Sequence, residues 1–270
     1  MIDRLLVLKL DAIDCEAEAL LNGIPVARAS PARPRIVVPV HEYTAAGANR
    51  LELVIWPRAF APGEPKVEPP LPCVSTGRLS AHARILLPRV GNVADESTAR
   101  TLAQMEWSPV EGLPYEAPFV LSQDISLQVS FPRWRWMDAP VVPSSAALRS
   151  LALSFVDQLS QQLAAGDVEG FITATRLRTE ELAAAYQRDA GNDAARMRSH
   201  LLELHATHRL KWLPMTAEGL VLRSLAGGRL HECLDISGAP MLRTVPDDAG
   251  RVLALPLRVA AVDNRLYVLR

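Results

Sequence analysis

Residues 144–172 read SSAALRSLALSFVDQLSQQLAAGDVEGFI, and at this stretch the texture of the chain changes. Leu148, Leu151, Leu153, Phe155, Val156, Leu159 and Leu163 fall at helical spacing, Ser144 or Ser145 stands where a cap is needed, and Ala165-Gly166 supplies a stop. Most of the 21 prolines lie before Pro143, so the long helices begin where the prolines thin out. The spacing therefore predicts two domains: residues 1–138 as an all-β sandwich with proline-rich loops, 139–146 as a linker, and 147–270 as an α+β domain.

Upstream, Leu6, Leu8 and Leu10 alternate with Val7, Lys9 and Asp11. Cys15, Ala17, Ala19 and Leu21 alternate with Asp14, Glu16, Glu18 and Leu20. Period two means strands with one wet face. Asn22-Gly23 supplies two residues that tolerate positive φ, as a tight hairpin needs before Ile24, Val26 and Ala27. Further strands are expected at Leu51, Leu53 and Ile55, after the turn Ala46-Gly47-Ala48-Asn49, and at Ile125, Leu127, Val129 and Phe131. Residues 61–73, APGEPKVEPPLPC, carry too many prolines for a central strand and predict an extended surface loop. Irregular structure is expected from Gly91 through Pro118.

Downstream, Asp167 is placed to cap a second helix carrying Phe171, Ile172, Leu177, Leu182 and Tyr186, and a third runs from about Asp193 to His208. Strands are expected at 211–215, 219–225, 229–236, 240–245, 251–261 and 265–269, joined by Gly227-Gly228, Ser237-Gly238, Asp247-Asp248 and Asp263-Asn264. Three helices followed by a meander make the α+β domain.

Length and composition agree with two folded domains: 270 residues, 49% apolar and 22% charged. With 29 basic and 30 acidic residues the net charge is -1, which provides no field to gather nucleic acid or anionic membrane. Lys9, Lys66 and Lys211 are the only lysines. Cys15, Cys73 and Cys233 are far apart and odd in number, which fits reduced thiols in the cytoplasm better than a disulfide framework. The opening MIDRLLVLKLDAIDCEAEAL has too short an apolar run for a signal peptide, and no apolar stretch approaches the ~18 residues of a membrane-spanning helix.

The constellations that could carry chemistry each have a plain structural reading. His200, His205 and His208 share a predicted helix, with His205 and His208 60° apart at 100° per residue, close enough for two imidazoles to approach one ion. They lack an HExxH spacing, and His231 or Cys233 would have to supply a third ligand, so solvated histidines are expected and no metal. His231, Cys233 and Asp235 alternate on one strand and share a face, which invites a cysteine nucleophile. Same-strand neighbours lie about 7 Å apart, so a buried, inert cysteine is the expectation. The sequence holds no GxSxG, P-loop, GxGxxG or CxxC. No catalytic residue and no cofactor is assigned. Asp95, Glu96 and Glu106, near Arg100, are expected to decorate a solvated loop or short helix. Trp134 and Trp136, flanked by Arg133 and Arg135, could stack on a sugar or anchor a protein partner, or could fill the junction before the linker. Trp56 is sandwich core or rim.

The run AAGDVEGFI between two helices and the closing RVLALPLRVAAVDNRLYVLR resemble NTF2-like domains, over about 125 residues. The resemblance implies helices covering a strongly curved antiparallel sheet that can enclose a pocket; the candidate pocket groups are Tyr186, Trp212, His231 and Asp235. Asn22-Gly23 in a hairpin and Gly47-Ala-Asn49 leading into LELVIW resemble β-sandwich modules of the galactose-binding type, over about 60 residues. The functional expectation is a non-catalytic cytoplasmic protein that binds another protein through its proline-rich loops and the Trp134 to Trp136 segment, an immunity-type or secretion-associated accessory protein being one concrete form. The alternatives are a small-molecule enzyme or binder using the NTF2-like pocket, and a carbohydrate-binding module. One further expectation is that Trp134 or Trp136 is more than half buried against the domain beginning at Ser144.

Overall fold

The computed structural model describes residues 5–56, 71–75, 77–88, 97–128 and 131–270. They form a mixed α+β protein with antiparallel sheets and five helices, in two compact units, Met1–Arg133 and Trp134–Arg270. The division falls ahead of the linker expected at 139–146, because Trp134 and the short helix after it belong with the second unit.

The first unit begins with β1 (Val7–Ile13), β2 (Glu16–Leu21), β3 (Ile24–Ala29), β4 (Arg35–Pro39) and β5 (Gly47–Trp56). It continues with β6 (Leu71–Val74), β7 (Ser80–Leu87), β8 (Arg100–Trp107), β9 (Pro114–Ala117) and β10 (Phe119–Leu127). Two four-stranded antiparallel sheets, ordered β4-β1-β7-β8 and β10-β5-β2-β3, close on one core. Leu8 and Leu10 of β1 and Ile85 of β7 enter it from one sheet, and Ala17, Ala19, Leu51 and Leu53 from the other. Asn22 and Gly23 turn β2 into β3 at φ of 55° and 72°, with Leu21 opposite Ile24. Asn22 also pins the turn before β5: its Oδ1 accepts the Arg50 N–H (2.9 Å), and its Nδ2 donates to the Tyr43 carbonyl and to Asn49 Oδ1 (both 2.8 Å).

Several expectations are corrected here. Residues 91–118 are not irregular throughout, since β8 and β9 occupy 100–107 and 114–117. Residues 71–73, placed in a surface loop by their prolines, belong to strand β6, which among the described residues pairs with β9 alone. Proline is tolerated in such a ribbon because each strand keeps one unpaired edge where a missing N–H costs nothing. The rest of the expected loop, 61–70, and Val129, Asp95 and Glu96 lie outside the described residues. Nor does β2 have a wet face: Glu16 and Glu18 are buried, and Glu16 accepts a hydrogen bond from Arg28 of β3.

The second unit holds α1 (Arg135–Asp138), α2 (Ala146–Ala164), α3 (Glu169–Ala174), α4 (Arg176–Ala185) and α5 (Ala190–Ala206). After them come β11 (Leu220–Leu225), β12 (Leu230–Asp235), β13 (Arg258–Val262) and β14 (Arg265–Val268), which form one antiparallel sheet in that order. Ser145 caps α2 by accepting the Leu148 N–H (3.1 Å). The second expected helix is two: it breaks at Thr175, whose hydroxyl bonds back to the Phe171 carbonyl (2.8 Å). The third begins earlier than expected because Asp189 is its cap, accepting the Asn192 N–H (2.7 Å). Residues 211–215 and 240–245 are not strands but meet at an isolated bridge, Trp212 to Thr244, and the expected strand 251–261 is reduced to Arg258–Val262. Pro214, Pro240, Pro246 and Pro256 interrupt these segments, each removing a ladder donor. Asp263 and Asn264, at φ of 47° and 58°, close the last hairpin.

Leu220, Leu222, Cys233, Val259, Ala261 and Val268 on one face of this sheet share an apolar cluster with Leu148, Val156, Leu159 and Leu163 of α2, Phe171 of α3 and Leu201 of α5. That face is packed with aliphatic side chains from the helices.

Candidate interaction surface

The residues that suggested catalysis are separated or committed. His231 is fully buried, with Nε2 on the Val142 carbonyl (3.0 Å). Cys233 is buried, and burial pushes its thiol up to about 12, so it stays protonated and inert. Asp235 closes its own turn: Oδ1 accepts the Ser237 N–H (2.9 Å), the Ser237 hydroxyl (2.6 Å) and the Ala239 N–H (3.0 Å), and Oδ2 pairs with Arg243. Although burial opposes it, these hydrogen bonds and Arg243 hold the carboxyl below its ordinary value. Tyr186 lies under the Arg188 guanidinium, 5.4 Å from the ring centre, and Trp212 sits at its bridge to Thr244.

Clefts of the second unit lie elsewhere: an open one of about 810 Å3 is lined by Arg188, Asp193, His200 and Glu203, one of about 140 Å3 by His200, Arg209, Asp247 and Arg251, and one of about 370 Å3 by Phe155, Gln162, Glu169 and Thr173. None of the four pocket candidates lines any of these three. The helical histidines also part company: His200 lines the first two clefts, His208 is exposed, and His205 lies against Gly166, where an added Cβ would come within 2.7 Å of Nε2. At φ of +82° Gly166 also needs to be glycine for its backbone.

The three tryptophans put forward for binding are interior residues. Trp134 is 1%, Trp136 5% and Trp56 7% exposed. The Arg270 guanidinium lies over Trp134, 5.6 Å from its ring centre. Beside it, Arg135 gives its backbone N–H to Glu181 Oε1 (2.6 Å) and its guanidinium to Glu180 (3.1 Å). Arg133 is exposed. These rings form no open platform; the Trp134 segment is docked through Glu181 and Arg270 of its own unit.

Exposed apolar side chains occur singly elsewhere, Ile13, Val120, Val141 and Ile236 among them, and three come together around the β6–β9 ribbon. The register places Cys73 opposite Tyr115 on one side, and Pro72, Val74, Pro114 and Glu116 on the other. On the inner side Tyr115 meets Trp107 edge to face, ring centres 5.5 Å apart, and packs against the sandwich core; Trp107 is itself 5.7 Å from Phe119. On the outer side Val74 is 56% exposed. The turn leading into β9 adds Val110 at 65% and Leu113 at 56%, held near Val74 by the Gly112 N–H to Ser75 carbonyl bond (3.2 Å). An anchored inner face thus presents a cluster of open aliphatic side chains. Sequence reasoning missed it because the prolines that mark the outer face also argue against strands.

The thiols give a direct check on this arrangement. Burial pushes Cys15 up to about 11 and Cys233 to about 12, whereas Cys73 on the ribbon is half-buried. Titration of the native protein with a thiol reagent at pH 8 is expected to modify Cys73 alone, and all three after unfolding. Fast modification of two or three in the native state contradicts the burial of Cys15 and Cys233. Compared with protein-family models, curated proteins and solved structures, the chain matches none.

Proposed function

We propose that this is a non-catalytic binding protein of a reducing compartment, the cytoplasm, which engages a protein partner through the outer face of the β6–β9 ribbon. The observation that carries this reading is the trio of Val74 on β6 with Val110 and Leu113 in the turn leading into β9, each more than half exposed beside a ribbon whose reverse side packs through Tyr115 on Trp107. A rigid display of aliphatic side chains loses little conformational entropy on docking. Two further observations support binding over catalysis: the helix-facing side of the second sheet is packed with Leu and Val side chains, and His231, Cys233 and Asp235 have structural partners or protonation states that leave no nucleophile and base in contact. The order of helices before a four-stranded antiparallel sheet supports the NTF2-like likeness of the second unit, and the paired four-stranded sheets support the likeness of the first to galactose-binding modules. In such modules sugars need open aromatic platforms, which the burial of Trp56, Trp134 and Trp136 does not favour.

The test is affinity capture from native lysate with the wild type and with a Val74→Asp, Val110→Asp, Leu113→Asp variant. All three side chains are exposed, so the melting temperature is expected to move little. The captured partner is expected to fall by at least tenfold, the consequence of losing about 1.4 kcal/mol or more at the interface. A stoichiometric partner retained by the folded variant rules out the ribbon as the surface.

A further inference from the structure

We infer that His231 is a proton-operated latch: its neutral ring holds residues 139–142 on the β11–β12 hairpin, and a second proton on the ring releases them. Three hydrogen bonds tie this segment down. The Val142 N–H donates to the Gly228 carbonyl (2.9 Å), Arg229 Nη1 donates to the Ala139 carbonyl (2.5 Å), and His231 Nε2 donates to the Val142 carbonyl (3.0 Å). The segment also lies close on the turn, since a Cβ added at Gly228 would come within 3.1 Å of Val141 Cγ1.

The ring is fully buried, and its Nδ1, also buried, has no hydrogen-bond partner. Because the Val142 carbonyl requires the proton on Nε2, Nδ1 of the neutral ring is a bare acceptor. A second proton would create a buried donor and a buried charge with no acceptor in reach, a state relieved by moving the segment and admitting water.

Among the described residues, the groups around the ring offer that charge no compensation. The cross-strand neighbours are Ser224 of β11 and Val259 of β13, both uncharged. Arg229, just before β12, brings positive charge to the Ala139 carbonyl, and the Cys233 thiol, on the same face of β12 as His231, stays protonated. Asp235, further along, is already tied to Arg243, and Glu232 on the opposite face is paired with Arg258 (2.8 Å). The segment itself meets the ring through the Val142 carbonyl. Burial accordingly holds the imidazole below its ordinary value, with that carbonyl as a partial offset. For a group whose folded value is depressed in this way, the unfolded or opened state takes the proton first. The stability the neutral ring contributes is therefore complete above the ordinary histidine value of about 6.5 and is lost as pH falls from there towards the folded value.

The experiment is amide exchange of Val142 in the full chain, followed by NMR at pH 7.5 and 5.5, for the wild type and for His231→Gln, which keeps an N–H donor and cannot titrate. The Val142 protection factor is expected to drop by up to about tenfold between pH 7.5 and 5.5 in the wild type, the limit that one proton and an opened-state value of about 6.5 allow at pH 5.5, and to stay constant in His231→Gln. Wild-type protection that is independent of pH overturns the proposal, as does an equal drop in both proteins. Should the glutamine variant fail to fold, the ring of His231 is titrated directly by NMR in the wild type. A midpoint below 6.5 with parallel loss of Val142 protection supports the latch; a midpoint at or above 6.5, or a low midpoint without that loss, rejects it.

Discussion

Trp134→Ala is expected to lower the melting temperature by roughly 10 °C or more, at about 3–5 kcal/mol for emptying a fully buried tryptophan site and about 3 °C per kcal/mol for a protein of this size. The ring is 1% exposed and carries the Arg270 guanidinium on its face, so truncation removes apolar burial and a cation–π contact together and leaves a cavity its neighbours can only partly fill. A thermal scan of the purified variant beside the wild type is the measurement. Unchanged melting accompanied by loss of a captured partner would return this ring to the interaction surface and displace the β6–β9 ribbon from that role.

Arg270→Ala is expected to be of similar size, about 3–5 kcal/mol, for a different reason. The Arg270 side chain is 1% exposed and pairs with Glu181, itself 8% exposed. Removing the guanidinium strands a carboxylate that keeps only the Arg135 backbone N–H and a guanidinium 3.9 Å away at the surface. The cost lies in desolvating an unmatched charge, so the double replacement Arg270→Met with Glu181→Leu should recover most of the stability that the single variant loses. Urea denaturation of the single and double variants distinguishes the two. A double variant as unstable as Arg270→Ala would assign the loss to packing against Trp134. Because Arg270 and Trp134 touch, their two alanine substitutions combined should cost less than their sum.

Local rules carried a large part of the fold. Asn22-Gly23 and Asp263-Asn264 announced their hairpins, because the positive φ values those turns need are cheap for few residue types. The Ser144-Ser145 pair announced the start of α2, and Ser145 is the one whose hydroxyl meets a donor three residues away in sequence. The alternation in β1 and β5 read as strands because one face of each supplies an apolar row, whereas the strand expected over Ile125–Phe131 meets β10 only at Ile125–Leu127, the earlier part being hidden by the exposed Gln123 and Asp124. Trp134 and Trp136 read equally as a binding surface or as packing ahead of the linker, and spacing alone did not choose; both are buried.

What remained hidden depends on residues distant in the chain. Ala81, Ala83 and Ile85 of β7 are core residues between β1 and β8, yet two alanines give no apolar signal comparable to leucine or valine; only their partners, some 70 residues earlier and about 20 later, make them a strand. Pro72 and Pro114 argue against strands locally and are accepted because the β6–β9 ribbon has free edges, a property of sheet order. Glu16 and Glu18 read as solvent-facing, and burial covers both. The same holds for the candidate site: spacing put His231, Cys233 and Asp235 on one face, but the Val142 carbonyl, the aliphatic core around Cys233 and the Arg243 guanidinium decided their chemistry. The sequence by itself determined turns, caps and strand faces, because those energies are settled within a few residues. Tertiary structure alone decided which polar groups are paired and which apolar ones stay open, because burial and electrostatic partnership are set by chain segments that meet only in the folded state.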